Sequence, residues 1–396
     1  MTVVPSSLHI SSDFDSGNIQ VLDASDPLDV KLAIKPDTKS PHFQWFHFKA
    51  SGLTPGQPHH FHLTNASQSS YNKAWDGYRA VASYDQEHWF RVPTDFDGTS
   101  LNFSLEPQHS SVWFAYFEPY SRARHEVLIS DAQQWSGCQV LAVGKSAEGR
   151  DIQLLRKGNG AARKHKIWII AQQHPGEHMA EWFMEGIFKR LEQGSDPQLR
   201  KLLDYAELYL IPNMNPDGAF HGHLRTNANG QDLNRAWQNT SPEVSPEVFF
   251  ALEQMHTYGV DLFLDIHGDE EIPYVFTAGC EGNPGYNERI ATLEERFRSH
   301  LSQQTKDFQT THGYTRDEPG QANMTLACNS VGQRFDCLSL TLEMPFKDNN
   351  DAPDPVTGWD GKRSMQLGHT VLTTLSDMVN TLRYPPRLNC LKPAHD

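Results

Sequence analysis

What this sequence has little of already narrows its role. Among its 396 residues no uninterrupted apolar run approaches the length of about 18 needed to cross a bilayer, and the longest, such as Ile167–Ala171, are strand-sized. Positive charge is also scarce. Lys and Arg number 34 against 49 Asp and Glu, a net charge of −15, and that excess repels phosphate backbones, which argues against a general nucleic-acid partner. Five cysteines form no close pair, and an odd set suits the reduced thiols of a cytosol better than a disulfide framework. The opening Met1-Thr-Val-Val-Pro-Ser-Ser7 has neither the basic nor the apolar region of a signal peptide. No internal repeat or low-complexity tract is present. The expectation is a soluble, acidic, cytoplasmic protein with no membrane and no nucleic-acid partner; composition is silent on its oligomeric state.

What is present in quantity is core material. Apolar residues make up 38% and aromatics 11%, ample for sizeable cores, and the length suggests two or three domains. The first third reads as all-β. Phe43–Ala50, His59–Asn65, Val81–Tyr84, Trp89–Val92, Ser100–Leu105 and Val112–Tyr116 are short aromatic or alternating segments separated by turn signals, the pattern of an antiparallel sandwich. In His59–His62 the alternation puts His60 and His62 on one, surface-facing side, and Trp45, Phe46 and Phe48 are expected in the sandwich core. Ser121–His125 is polar and suits the opening of a linking helix, so the boundary is drawn near residue 125. From about Gly137 strands and helices alternate. Cys138–Val143 and Ile152–Arg156 read as paired strands; Ile167–Gln172, Tyr205–Pro212, Val260–His267 and Leu338–Met344 read as buried strands; His178–Gln193, Ser245–Tyr258, Asn287–Gln303 and Met365–Arg383 read as helices. That order predicts an α/β domain, residues 126–390, with a mostly parallel sheet covered on both faces.

Three strand ends carry metal-ligand chemistry. His174-Pro-Gly-Glu177 follows Ile167–Gln172 and offers one imidazole and one carboxylate at a strand-to-helix turn. His267 of Asp265-Ile-His267-Gly268 ends a buried strand, at the edge where open α/β sheets gather their ligands. Glu343 ends Leu338–Met344. Each alone has an ordinary structural explanation: a surface pair, a core histidine, a strand-end ion-pair partner. The intervening Pro212–Gly218, Arg225 and Asp232-Leu-Asn-Arg235 add two arginines and an asparagine around a polar loop, and Arg is suited to gripping a carboxylate with two hydrogen bonds.

Taken in order, Ser146–Ile152, His174–Glu177, Asn215–Gly218 with Arg225, Asp232–Arg235, Asp265–Gly268 and Glu343 resemble the zinc metallocarboxypeptidases of the carboxypeptidase A/B type, and more closely their cytosolic branch. The likeness spans about residues 137–383, and Trp113–Tyr120 looks like the end of the β-sandwich that precedes the catalytic domain in that branch. The resemblance implies a three-layer, mixed-sheet carboxypeptidase domain. It implies one Zn2+ held by His174, Glu177 and His267, with Asp232 orienting the first histidine through its other ring nitrogen. It implies Glu343 as general base and acid, Arg225 as the cation that polarises the scissile carbonyl, and Asn234 with Arg235 as the clasp for a terminal carboxylate. The substrates implied are peptide or protein C-termini.

Two departures from the family pattern stand out. The secreted enzymes carry a mobile tyrosine lid before the general base, yet Ala322–Thr341 contains no tyrosine, so none is assigned. Where cytosolic members that remove glutamates look to carry a basic pocket residue after a G-x-A stretch, Gly320-Gln-Ala-Asn323 has Asn323, leaving Arg316 or Arg334 as other sources of charge. His178 is expected to pack or touch substrate, and His221 and His223 to face solvent or substrate. Cys328 and Cys337 are read as buried structure. Two rival functions remain open from sequence: a zinc deacylase of N-acyl amino acids, which shares the H-x-x-E…H arrangement, and a binding module whose catalysis is secondary.

Overall fold

The computed structural model describes residues 8–193 and 196–382. The opening heptapeptide, Arg383 of the last expected helix, Cys390 and the tail to residue 390 lie outside them.

Two five-stranded sheets form the first part. One runs His9–Ser11, His47–Ser51, Ser111–Ala115, Val81–Ser83, Trp89–Arg91; the other runs Gln20–Asp23, Val30–Ala33, His59–Leu63, Leu101–Leu105, Thr94–Phe96. Neighbours are antiparallel except Val30–Ala33 beside His59–Leu63, which run parallel. The alternation seen in sequence is the alternation of faces: His59, Phe61 and Leu63 are buried, while His60 is exposed and His62 half-buried. Phe46, Phe48, Phe61, Phe103 and Phe114 meet between the sheets, with Phe61 and Phe103 ring centroids 5.4 Å apart.

Ser121 caps the helix Arg122–Ala132 through a hydrogen bond from the Arg124 amide, the linking helix its polar sequence suggested. A seven-stranded mixed sheet follows, in the order Cys138–Lys145, Asp151–Lys157, Ala206–Ile211, His165–Ala171, Leu262–Asp269, Leu338–Pro345, Phe276–Ala278. The four strands from Ala206–Ile211 to Leu338–Pro345 are parallel, and the flanking pairs are antiparallel. Parallel strands must be buried on both sides, hence their unbroken apolar sequences. Ile167 and Ile169 face one core with helices Met179–Gln193, Glu288–Gln304 and Gly361–Met378; Trp168 and Ile170 face another with Pro246–Tyr258 and Ala327–Phe335. The last of these, the helix Pro197–Tyr205 and the strand Phe276–Ala278 were not read from sequence. Helices Met179–Gln193 and Gly361–Met378 cross closely on glycines: a Cβ at Gly186 would lie 1.9 Å from the Met365 carbonyl oxygen, and one at Gly368 would lie 2.1 Å from that of Phe183.

The sandwich core and the first of these sheet cores are continuous. Tyr116 stacks on Phe346 at 4.6 Å and Trp45 on His178 at 4.2 Å. Buried Arg91 donates to the carbonyls of Phe346, Thr357 and Trp359. A seam of this kind fixes the two parts against each other, unlike the smaller, more polar contacts that let domains move.

Candidate metal centre and carboxylate clasp

The metal loop is shaped by the residue before it. Gln172, at the end of the buried strand, takes a left-handed φ of 55°, a conformation that a side chain makes costly. Its amide holds the turn: Asn213 Nδ2 donates to its Oε1 at 2.9 Å, and its Nε2 donates to the Pro175 carbonyl at 3.0 Å. The chain then turns through His174 and Glu177 into the helix Met179–Gln193. His267 arrives from the adjacent parallel strand. Glu343, directly opposite His267 in the register of the next strand, completes the floor.

His174, Glu177 and His267, all buried, bring one ligand atom each within 4.8 Å of one another. His174 Nδ1 lies 2.6 Å and His267 Nδ1 2.9 Å from the Glu177 carboxylate. Both outer nitrogens are held from behind, His174 Nε2 by Asp232 at 3.1 Å and His267 Nε2 by Asp265 at 2.8 Å. Carboxylates behind both imidazoles fix the ring orientation a metal needs, and two nitrogens with one carboxylate are a donor set zinc accepts. Beside them the Glu343 Oε2 atom is buried without a hydrogen-bond partner among the described residues. The residues fit a metal ion with a carboxylate next to it that has one oxygen unpaired.

The electrostatics follow from burial and proximity. Burial pushes the Glu177 carboxyl up, but the two imidazoles more than offset it and hold it at about 2. Burial raises Glu343 well above the usual carboxylate range; Glu177 and Asp269 add to this, and His267 and the Tyr314 hydroxyl oppose it. Asp232 is driven the other way: despite burial, His174, Arg225 and Arg235 hold it far below the ordinary value. Asp232 thereby links the metal end to the arginine end, its Oδ2 accepting from Arg225 Nε at 2.8 Å. Asn234, mostly buried, accepts the Ala327 amide at 2.8 Å, and Arg235 Nη1 donates to the Asn234 carbonyl at 2.9 Å. His174, Glu177, His267, Glu343, Arg225, Asn234 and Arg235 line one cleft of about 730 Å³, and Asp232 stands behind His174 and Arg225.

Tyr314 corrects the sequence reading. Its hydroxyl lies 3.1 Å from Glu343 Oε1 and 2.7 Å from Asp269 Oδ2, so a tyrosine does reach Glu343, from a loop that begins before the segment searched for one. Of the suggested basic residues, Arg316 lines the cleft, 3.3 Å from Glu281. Arg334 instead donates to the Trp237 and Gln238 carbonyls, and Asn323 caps the turn at Thr325. Arg298, overlooked in sequence because it sits mid-helix, is buried in the cleft wall, 3.0 Å from Glu281. Glu270 and Tyr71 also line the cleft without a motif to announce them. Burial and the neighbouring Glu177 and Asp269 push Glu270 well up. The histidines next to the motifs, His178, His221 and His223, hold the surrounding structure. His178 accepts the Tyr120 amide at 2.9 Å, burial bringing it down to about 3; His221 meets Glu148 at 2.7 Å and His223 accepts the Thr38 amide at 2.9 Å. Cys280, Cys328 and Cys337 are buried, with the first two sulfurs 3.3 Å apart.

A metal-ready triad, an adjacent buried carboxylate and a cationic clasp in one cleft define a metallohydrolase for substrates that end in a carboxylate. Comparison with known proteins agrees. Residues 131–355 match the zinc carboxypeptidase family and residues 10–117 the cytosolic carboxypeptidase N-terminal domain. The chain belongs to the zinc carboxypeptidase family and is a metallocarboxypeptidase that removes C-terminal residues from peptides. A metallo-carboxypeptidase of Pseudomonas aeruginosa, solved with (2-guanidinoethylmercapto)succinic acid, is 61% identical over 95% of this chain and all of that one, with a TM-score of 0.93. One from Burkholderia cenocepacia is 43% identical over the same shares, with a TM-score of 0.91. Mouse cytosolic carboxypeptidase 4 is 27% identical over 69% of this chain, which spans only 29% of that longer protein.

Proposed function

We propose that His174, Glu177 and His267 hold one zinc ion and that Glu343 is the general base and acid of C-terminal peptide hydrolysis. When bound, zinc supplies the Lewis acidity that lowers the pKa of a water to about 7 and polarises a carbonyl. Glu343 takes the proton of the attacking water and delivers it to the leaving amine. The Arg225 guanidinium offsets charge developing on the carbonyl oxygen. Arg235 and Asn234 hold the terminal carboxylate, which is why an internal peptide bond is not a substrate. Asp232 keeps His174 in the tautomer that turns Nδ1 inward. The observation that carries this reading is the register match of His267 with Glu343, which sets beside the metal ligands a buried carboxylate whose Oε2 has no hydrogen-bond partner among the described residues. The division of the chain into residues 1–125 and 126–390, and residence in a cytoplasm, belong to the same proposal. Among the described residues no helix is long and apolar enough to cross a membrane.

The test compares matched peptides with free and amidated C-termini on zinc-loaded protein. Cleavage of the free form alone is expected, with inhibition by the guanidino-succinate that the Pseudomonas relative binds. Equal cleavage of both forms, preferential hydrolysis of an N-acyl amino acid, or full activity in Glu343→Gln would overturn it.

A further inference from the structure

Arg225 has no regular element beneath it. It follows the short helix Pro216–His221 in an irregular segment whose nearest ladder is a single bridge, Thr226 to Asp232. A charge that must meet a developing oxyanion needs a fixed position, since misplacement by about 1 Å costs a rate factor on the order of 100.

The support comes from the N-terminal sandwich. The amides of Leu224, Arg225 and Thr226 converge on the Asp37 carboxylate at 2.6, 2.9 and 2.8 Å, and the Thr226 hydroxyl joins them at 3.0 Å. Asp37 is 3% exposed. Three successive N–H groups around one anion form a backbone nest, here with its anion supplied by another part of the chain. The flanking residues are held from the same side: Asn18 Nδ2 donates to the Gly222 carbonyl at 2.8 Å, the Ser16 amide to that of Phe220 at 3.0 Å, and the Thr38 amide to His223 Nε2 at 2.9 Å. Tyr71, also from the sandwich, accepts from Arg225 Nη1 and sets its ring 5.8 Å from the guanidinium carbon. With Nε on Asp232 and Nη1 on Tyr71, the guanidinium is fixed at two corners. Among the described residues Nη2 carries no hydrogen bond and remains for substrate.

We propose that Asp37 and Tyr71 are positioning residues for Arg225, so that the N-terminal sandwich is part of the catalytic apparatus rather than an appended binding module. This rests on the role given to Arg225 above. Asp37 fixes the backbone that presents the arginine and Tyr71 fixes its head group, and among the described residues neither is hydrogen-bonded to His174, Glu177 or His267.

The experiment is a double-mutant cycle on the zinc-loaded full chain, using an N-blocked dipeptide with a free C-terminus. Asp37→Ala, Asp37→Asn and Tyr71→Phe are each made alone and on Arg225→Ala. Alone, Asp37→Ala lowers kcat about 100-fold, Asp37→Asn and Tyr71→Phe about 10-fold, with KM and zinc content nearly unchanged. On Arg225→Ala, each costs less than about 2-fold, because the group being positioned is gone. Amide exchange at Leu224–Thr226 accelerates in both Asp37 variants and stays at the wild-type rate in Tyr71→Phe, a readout that needs no turnover. Equal losses of kcat in the two backgrounds, or undiminished amide protection in Asp37→Ala, overturn the proposal. A wild-type protein that cleaves no peptide while the Asp37 variants lose protection counts against the carboxypeptidase reading and not against the Asp37 contact.

Discussion

At the metal end of the cleft His174, Glu177, His267 and Glu343 sit on, or just beyond, strands of one sheet; at the other end Arg225 sits on a loop that no strand supports, held by Asp37 and Tyr71 across more than a hundred residues of sequence. The first arrangement needs only that neighbouring parallel strands pair in register. The second needs two separately built parts to dock, and it inherits whatever disturbs the seam between them. One cleft thus contains a centre that the sheet holds and a cation that a neighbour holds. Asp232 connects them, with one carboxylate oxygen on His174 and the other on Arg225.

The sharpest way to break that contrast is to remove a ligand. His267→Ala is expected to abolish bound zinc and turnover together, measured as metal per chain and as peptide cleavage, while amide protection at Leu224–Thr226 persists. Loss of that protection would mean that the two ends are built as one. Glu343→Gln separates binding from chemistry: zinc content stays at the wild-type level and kcat falls by a factor of about 10² to 10⁴. A loss of metal in this variant would contradict the assignment of Glu343 outside the ligand set. Tyr314→Phe removes one hydroxyl from the Glu343 side and should lower kcat/KM by about 10-fold or less, a loss typical of one ordinary hydrogen bond. A loss on the scale of Glu343→Gln would make the tyrosine a proton carrier.

The smallest effect concerns the seam. Glu118 accepts the Gly361 amide at 2.8 Å, and burial pushes its carboxyl from 4.5 up to about 7. An acid whose folded value is raised loses stability as pH climbs from the unfolded value to the folded one, because only the unfolded chain ionises freely in that window. Glu118→Gln should therefore be more stable than wild type by about 1 to 3 kcal/mol at pH 8 and no more stable at pH 4, as read by denaturant unfolding at the two pH values. An equal gain at both would remove ionisation as the cause.

The metal end was legible in sequence because each of its signals is local. A strand long enough to be buried must end somewhere, and a histidine or carboxylate at that end is visible as a break in an apolar run. Asp232 and Arg235 shared a four-residue motif. The tyrosine was missed for a geometric reason: Tyr314 reaches Glu343 from a loop 29 residues upstream, and loop length does not reveal where a loop folds back. His178 was expected to pack or touch substrate, and it packs, stacked on Trp45; His223, expected to face solvent or substrate, is instead taken by the seam through Thr38. Arg298 lay inside an amphipathic helix, where an arginine ordinarily faces solvent.

By itself the sequence determined the class of sheet, the strand ends that carry the candidate ligands and the chemistry such a donor set would allow, since alternation and apolar runs are set by nearest neighbours along the chain. Only the tertiary structure decided that Asp37 would become the anion for the Arg225 loop, that Tyr71 and Tyr314 would both line the cleft, and that the sandwich would share a core with the catalytic sheet. The Asp37 contacts alone join segments 187 to 189 residues apart. No local pattern encodes such a partnership, because each member is an ordinary aspartate or tyrosine until packing brings the other within hydrogen-bond reach.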